Sequence, residues 1–375
     1  MFLIIMPVIV PFLKSHELGM QAVFELQAIF AFSVVLLEVP SGYLADLFGR
    51  KNTLMLAGLF NGIGMTTLAL GDSYIWFVVF EIIIAFAGSL FSGSDIAMIY
   101  DSLEGIESRD GEESQFLGRK IFYAQTGEMV AALLGGGFAY ISLALPIQVN
   151  AVTGWIPLFI ALTLTEPPRS KMSSTSHSGN IGYIWRSLFG HSKLLTFILL
   201  NLIFYGSSTL LAVWAFQGYW GSIDIPIYYF GYLWALFNGV VALTARLANR
   251  LDHLLGRKIL LFSIALLPIA GYLGMAWGAG LFGIVAGLLF KVSRGLTGVL
   301  LRDDLNKRVT GDIRATANSV ASLGVRLNFA LLGPVLGALI DNQGYRVSFT
   351  IAAIFFVLVF FLIFLPLLRY RATKT

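Results

Sequence analysis

Cysteine is absent from this chain of 375 residues, which excludes disulfides, thiol nucleophiles and thiolate metal sites. Histidine is scarce. His16, His177, His191 and His253 lie in polar connectors and never at His-x3-His or metalloprotease spacing, so no metal centre is expected. A phosphate-cradling glycine loop ending in Lys-Ser or Lys-Thr is missing, as is a Gly-x-Ser-x-Gly elbow. The chain therefore reads as a non-enzyme with no cofactor. Charge is thin as well: 12% of residues are charged against 57% hydrophobic, with a mean hydropathy of +0.80. So few polar residues cannot cover a water-soluble surface, which places the chain in lipid. The pI near 9.2 reflects loop charge and does not point to nucleic acid.

What is abundant is long apolar runs. A helix crossing the bilayer needs about 20 mostly apolar residues, because only a helix satisfies its own backbone across roughly 30 Å of hydrocarbon. Twelve segments fit that scale: 1–13, 20–44, 52–71, 74–99, 117–142, 146–165, 194–217, 226–248, 259–277, 280–301, 315–340 and 345–367. The first, "MFLIIMPVIVPFL", makes only about 20 Å of helix at 1.5 Å per residue. It is read as a span that starts upstream of Met1 or as a place where the membrane thins. As a signal peptide it lacks a basic leader and a small-residue cleavage site.

Basic residues mark the cytoplasmic side. Lys14 and Arg346 fall on connectors assigned outside, whereas the other loop Lys and Arg fall on the opposite face, so both termini are expected in the cytoplasm. The long connector opens "EPPRSKMSSTSHSGN", polar and proline-bearing, hence flexible. After it, Ile181, Ile184, Trp185, Leu188 and Phe189 share one helical face opposite Arg186 and Lys193, which predicts an amphipathic helix on the membrane surface.

Two phrases recur. "GYLADLFGRK" at 42–51 is echoed by "LLGRK" at 254–258, and "GEMVAALLGG" at 127–136 by "FALLGPVLGA" at 329–338. Both offsets are about 205 residues, which predicts duplicated halves. We expect an all-α membrane fold of twelve helices in two pseudo-symmetric six-helix bundles, 1–165 and 194–375, joined by the linker 166–193.

On these motifs the chain resembles the major facilitator superfamily, and within it the bacterial drug:proton antiporter-like branch. The family's loop motif is met by Gly42, Leu44, Asp46, Gly49, Arg50 and Lys51; the second copy keeps Gly256, Arg257 and Lys258 but has His253 in place of the aspartate. The resemblance implies a latch in which Arg50 meets Asp101 at the end of the fourth span and closes the cytoplasmic side. Asp46 would complement the positive end of the third helix, and Lys51 reads as a topology signal. The fifth-span motif is less faithful. Gly127, Ala131, Ala132, Gly135 and Gly136 stand in its places, with Ala132 where the family has proline, while the eleventh span keeps Gly333, Pro334 and Gly337. Small residues at this spacing allow close helix packing.

Ionisable groups inside spans are costly and therefore candidates for function. Glu128 is the first candidate for a proton-binding carboxylate, with a static ion pair to Lys291 or Arg294 as the alternative. Glu81 and Asp95 share a face with Gly88 at intervals of seven, and Glu25 and Gln27 lie in the outer part of the second span. Glu38 and Arg326 are assigned to the latch network. Asn201, Trp214, Gln217 and Asn238 are the substrate-cavity candidates; Trp220, Tyr228 and Tyr229 are assigned to the interfacial aromatic belt.

The resemblance implies a transporter in the bacterial cytoplasmic membrane that works by alternating access and exports a small amphipathic or drug-like compound against protons. An importer or facilitator of a metabolite, a lipid transporter and a non-transporting receptor are the alternatives. The partners implied are a small-molecule substrate, protons and membrane lipid, with the chain acting as a monomer.

Overall fold

The computed structural model describes residues 3–103, 112–167, 192–278, 280–309 and 311–372. Within them the chain is helical from end to end: α1 Ile9–Ser15, α2 Met20–Phe48, α3 Arg50–Leu70, α4 Tyr74–Leu103, α5 Glu112–Ile141, α6 Ala144–Thr153, α7 Ile156–Thr163, α8 Lys193–Ser222, α9 Tyr229–Leu255, α10 Arg257–Trp277, α11 Leu281–Leu296, α12 Arg302–Asn306, α13 Gly311–Val359 and α14 Leu365–Ala372. Wide π turns, Thr297–Leu301 and Phe360–Phe364, connect α11 to α12 and α13 to α14. Among the described residues, nine helical stretches are long and apolar enough to cross a membrane. The expected interfacial helix at 181–189 lies outside the described residues.

Single glycines end several helices. Gly49 joins α2 to α3 with φ 95 and ψ 160, and Gly256 joins α9 to α10 with φ 81 and ψ 146. Within α13, Gly344 at φ 73 and ψ 171 breaks the helix in two, between the spans expected at 315–340 and 345–367. Side chains disfavour this positive-φ, extended-ψ region, which belongs to glycine alone. The repeat read from the two Gly-Arg-Lys phrases thus has a backbone counterpart: both glycines adopt the same turn, and α3 and α10 each run 21 residues before an extended glycine cap. A Cβ built on Gly256 meets no atom within 4 Å, so an alanine there would feel backbone strain alone. Gly256→Ala is expected to lower unfolding stability by about 1–3 kcal/mol in thermal melts of purified protein. Gly256→Asn should not rescue it, since asparagine tolerates the αL region but not this one.

The sixth expected span, 146–165, is broken into α6 and α7 by a turn at Gly154 and Trp155 ahead of Pro157. Helix α3 holds this break. Asn61 Nδ2 donates to the Gly154 carbonyl at 2.7 Å, and Trp155 Nε1 donates to Thr66 Oγ1 at 3.1 Å. Gly58 and Gly62, four apart on α3, let the Leu158 backbone and the Trp155 ring approach within 3 Å of where a Cβ would stand. The tenth expected span, 280–301, is also longer than its apolar run, because the π turn carries the helix on through Asn306.

The chain divides into two compact units. One holds α1 to α7 with residues 225–235, and the other holds α8 and the described chain from Leu236 onward. The second has an aromatic interior: Tyr205, Phe216, Trp220, Phe237, Tyr272, Phe290 and Phe349 are all fully buried. Hydrocarbon offers helices no hydrophobic drive to associate, so such contacts, at about 0.5–1.5 kcal/mol per aromatic pair, and close packing at glycine do the work.

Candidate functional site

The Gly-Arg-Lys loops differ in their wiring. In the first, Asp46 falls in the last turn of α2, before α3 begins at Arg50, which corrects its assignment to the start of the third helix. Glu166 places a carboxylate at the α3 N-terminus, its two oxygens accepting from the Arg50 N–H at 2.8 Å and the Lys51 N–H at 2.7 Å. Those orphan donors and the positive helix end favour an anion there. The surroundings of Gly42 and the side chains of Asp46 and Asp101, and with them the expected Arg50–Asp101 contact, lie outside what the structure describes.

The second loop, degenerate in sequence, carries a dense ion network. Arg257 reaches Asp252 at 2.8 Å, Asp303 at 3.2 Å and Asp304 at 3.6 Å, and its Nη1 donates to the Leu300 carbonyl of the π turn at 3.0 Å. Arg371 grips both Asp304 oxygens, at 2.6 and 3.2 Å, and Lys307 pairs with Asp303 at 2.8 Å. The aspartate missing at His253 is thus supplied one residue earlier by Asp252 and again from α12. Lys258 and the Gly256 position are exposed.

Among the span residues, Glu81 is 4% exposed and Gln27 6%. Gln27 Nε2 donates to Glu81 Oε1 at 2.5 Å, tying α2 to α4, and no cation among the described residues pairs with Glu81. One helical face carries Glu81, Gly88 and Asp95, and a Cβ built on Gly88 meets nothing within 4 Å. Glu25 lies toward the end of this helix pair, accepting from Gln21 at 2.8 Å and from the Tyr74 hydroxyl at 3.3 Å. Glu128 and Asp95 are half-buried on α5 and α4.

In the second unit Lys291 is 2% exposed, its ammonium 5.5 Å from the Phe216 ring centre and 5.8 Å from that of Phe237. Trp220 stacks on Phe216 and meets Phe237 edge-on, 1% exposed. It belongs to this aromatic cage and not to the interfacial belt, a correction that follows from its lying on the buried face of α8 with Phe216. Tyr229, 48% exposed, remains at the surface. Asn201 Nδ2 donates to the Phe197 carbonyl at 2.7 Å and to the Ile363 carbonyl in the second π turn at 3.2 Å, while its buried Oδ1 has no hydrogen-bond partner among the described residues. Gln217 is fully buried on α8; Trp214 and Asn238 are half-buried.

Arg294 and Arg326 line one cavity of about 510 Å³ with Arg302, between α8, α9, the α11 π turn and α13. Its floor is the α8–α13 seam, where Gly206 meets Val325 and Asn328 Nδ2 donates to Ser207 Oγ at 2.5 Å.

The fifth-span motif is packing. Ala131 and Ala132 are buried; a Cβ on Gly135 would lie 2.0 Å from the Ile4 carbonyl oxygen, and one on Gly136 2.9 Å from Gly231 Cα. Gly127 is half-buried, whereas Gly333 and Gly337 are buried on α13 beside the half-buried Pro334.

Long apolar helices in two units, with Glu81 and Lys291 buried among them, define a multi-span membrane protein. The Major Facilitator Superfamily profile matches residues 1–327, and the chain belongs to that superfamily. None of the curated proteins matches it. Among solved structures, a mutant of the nucleoside transporter NupG superposes with a TM-score of 0.79 at 16% identity, covering 96% of this chain and 93% of that one. A bacterial homologue of the human lysosomal transporter Spinster, inward-facing and unoccupied, gives 0.78 at 16% identity, covering 99% and 93%. A D-xylose–proton symporter gives 0.68 at 15%, covering 95% and 93%. At such identities the likeness is one of fold, and the twelve-helix architecture is that of the superfamily.

Proposed function

We propose that this transporter is a proton-coupled secondary carrier working by alternating access in a bacterial cytoplasmic membrane, with both termini in the cytoplasm and a small amphipathic compound as cargo. The observation that carries the coupling is the enclosed Glu81–Gln27 pair. A carboxyl buried within a membrane-spanning helix, with no cation beside it among the described residues, needs a polar partner in whichever protonation state it adopts. Glutamine serves both: its NH₂ donates to the carboxylate, and after an amide flip its carbonyl accepts from the acid. Gly88, between Glu81 and Asp95 on the same face, leaves open space beside the helix. Coupling to protons is also what the name of the fold neighbour, the D-xylose–proton symporter, states for that protein. Export against proton entry is the direction favoured by the resemblance of the 42–51 loop to the antiporter branch.

Purified protein in proteoliposomes with an imposed pH gradient, offered a panel of labelled amphipathic compounds, tests this. Wild type should accumulate cargo in a direction that reverses with the gradient. Glu81→Gln is expected to cut gradient-driven flux at least ~10-fold, the lower end of what a positioned proton-transfer group supplies, while Glu81→Asp keeps part of it. Gradient-driven flux left whole in a monodisperse Glu81→Gln protein would remove the coupling role from this pair, and its loss in Glu128→Gln alone would move the role to α5.

A further inference from the structure

We infer that the cavity of the second unit is a binding site for an amphipathic organic anion, a carboxylate or phosphate head on an apolar body. It deepens the transport reading, and rests on it for the anion's role as cargo. Three guanidinium groups, Arg294, Arg302 and Arg326, line a single space of about 510 Å³, and no acidic residue is among the described residues lining it. That volume lies in the usual range for a small-molecule pocket. Three arginines on one cavity with no acidic residue among its described lining give it a positive wall, which suits an anionic head.

The backbone is arranged to bring these groups together. Arg294 and Arg302 are eight residues apart, which in a regular helix would set them roughly 80° apart around the axis. The π turn Thr297–Leu301 lies between them. One extra residue in the turn takes back about 100°, leaving the two side chains within about 20° of one line. Such turns persist mostly where function needs them, since they weaken the helix. The same turn supplies an unpartnered hydroxyl. Thr297 lines the cavity, is 7% exposed, and its Oγ1 has no hydrogen-bond partner among the described residues. Buried hydroxyls are rarely left so. A carboxylate or phosphate oxygen could accept from Thr297 while the arginine fork supplies bidentate contacts. Val241 and Val325 face the same space and suit an apolar body.

The test is binding to the intact purified protein in neutral detergent, read as a shift in unfolding midpoint and by calorimetric titration. The probes are octanoate and octyl phosphate as soluble anions, octanol as the uncharged control, and dioctanoyl phosphatidic acid as a lipid source of the same head chemistry. Both soluble anions should bind, with octanol at least ~10-fold weaker, matching the loss of one charged hydrogen-bonded contact. Arg294→Gln and Arg326→Gln should each weaken binding ~10-fold or more, Arg326→Lys less, and Thr297→Val several-fold without moving the ligand-free midpoint. Stabilisation by phosphatidic acid alone, lost in the same variants, supports the anion site and names lipid as its source. Octanol binding as well as octanoate, or undiminished anion binding in Arg294→Gln/Arg326→Gln, overturns the inference. Anion binding without gradient-driven flux of the anion leaves the site standing and removes its role as cargo; coupled flux through Glu81 without anion binding removes the site alone.

Discussion

Asp304→Ala should be the most damaging single change among the charged residues of the second unit, lowering unfolding stability by about 3 kcal/mol. Asp304 is 3% exposed and receives Arg371 on both oxygens, with Arg257 and Arg308 each at 3.6 Å. Removing it leaves three guanidinium groups facing one another with Asp252 and Asp303 as the remaining carboxylates among the described residues. The cost lies mainly in those stranded charges, and their partial exposure keeps it at the lower end of what a broken buried pair costs. Asp303 is the internal comparison. Its side chain is 35% exposed and its Lys307 partner 66% exposed, so Asp303→Ala should cost about 1 kcal/mol or less, most of it lost in high salt. Melts of both variants at low and 1 M salt check this: the Asp304 effect should persist where the Asp303 effect fades. Equal effects would mean that the enclosed network does not hold α9, α10, α12 and α14 together.

Gly135→Val should release α1. A Cβ at residue 135 falls 2.0 Å from the Ile4 carbonyl oxygen and 2.9 Å from Pro7 Cγ. The conflict is with main chain, which cannot rotate aside. The Ile4–Ile5 segment is moreover pinned, because the Ile5 N–H donates to Asn150 Oδ1 at 2.8 Å. Overpacking of this kind costs about 1–3 kcal/mol, and a branched side chain against backbone belongs at the top of that range. Gly137→Ala, two residues on, is the control, since its Cβ meets nothing within 4 Å; alanine there should be neutral or stabilising by up to about 1 kcal/mol. The absence of cysteine makes the local readout simple. A single cysteine introduced at Val8, which is fully buried, should label slowly in the parent and Gly137→Ala backgrounds and at least ~10-fold faster with Gly135→Val, since about 1.4 kcal/mol or more of lost local closure raises the open population that much.

Much of the architecture was legible because lipid imposes its own length: each span announces itself as an apolar run, and Gly49, Gly256 and Gly344 mark where runs end. The partners of the polar residues were not. Glu81 could be placed on a face with Gly88 and Asp95 by spacing, but Gln27 sits on another helix. Nothing local says that the two meet, and the more central Glu128 drew the attention. Glu166 and Asp252 were passed over because a carboxylate at a span end looks like any solvated loop charge until the helix it caps, or the arginine it meets, is in place. Trp220 shows the opposite failure. A polar or aromatic residue in an apolar run reads the same whether it faces a cavity, belts the interface or tends a carbonyl freed by a π turn, and π turns have no compositional signature. The basic cavity was half visible, since Arg294 and Arg326 stood out as charges inside spans; the turn that aligns Arg302 with Arg294 did not.

Gly344 has one further effect. With a lone glycine between two helices, the hairpin of the last two spans offers no slack peptide at that end. A protease would find no extended stretch to grip there, and an epitope or reporter placed at the joint would have to unravel a span to fit. Topology mapping of that side is better done by chemical labelling at the helix tips than by insertion.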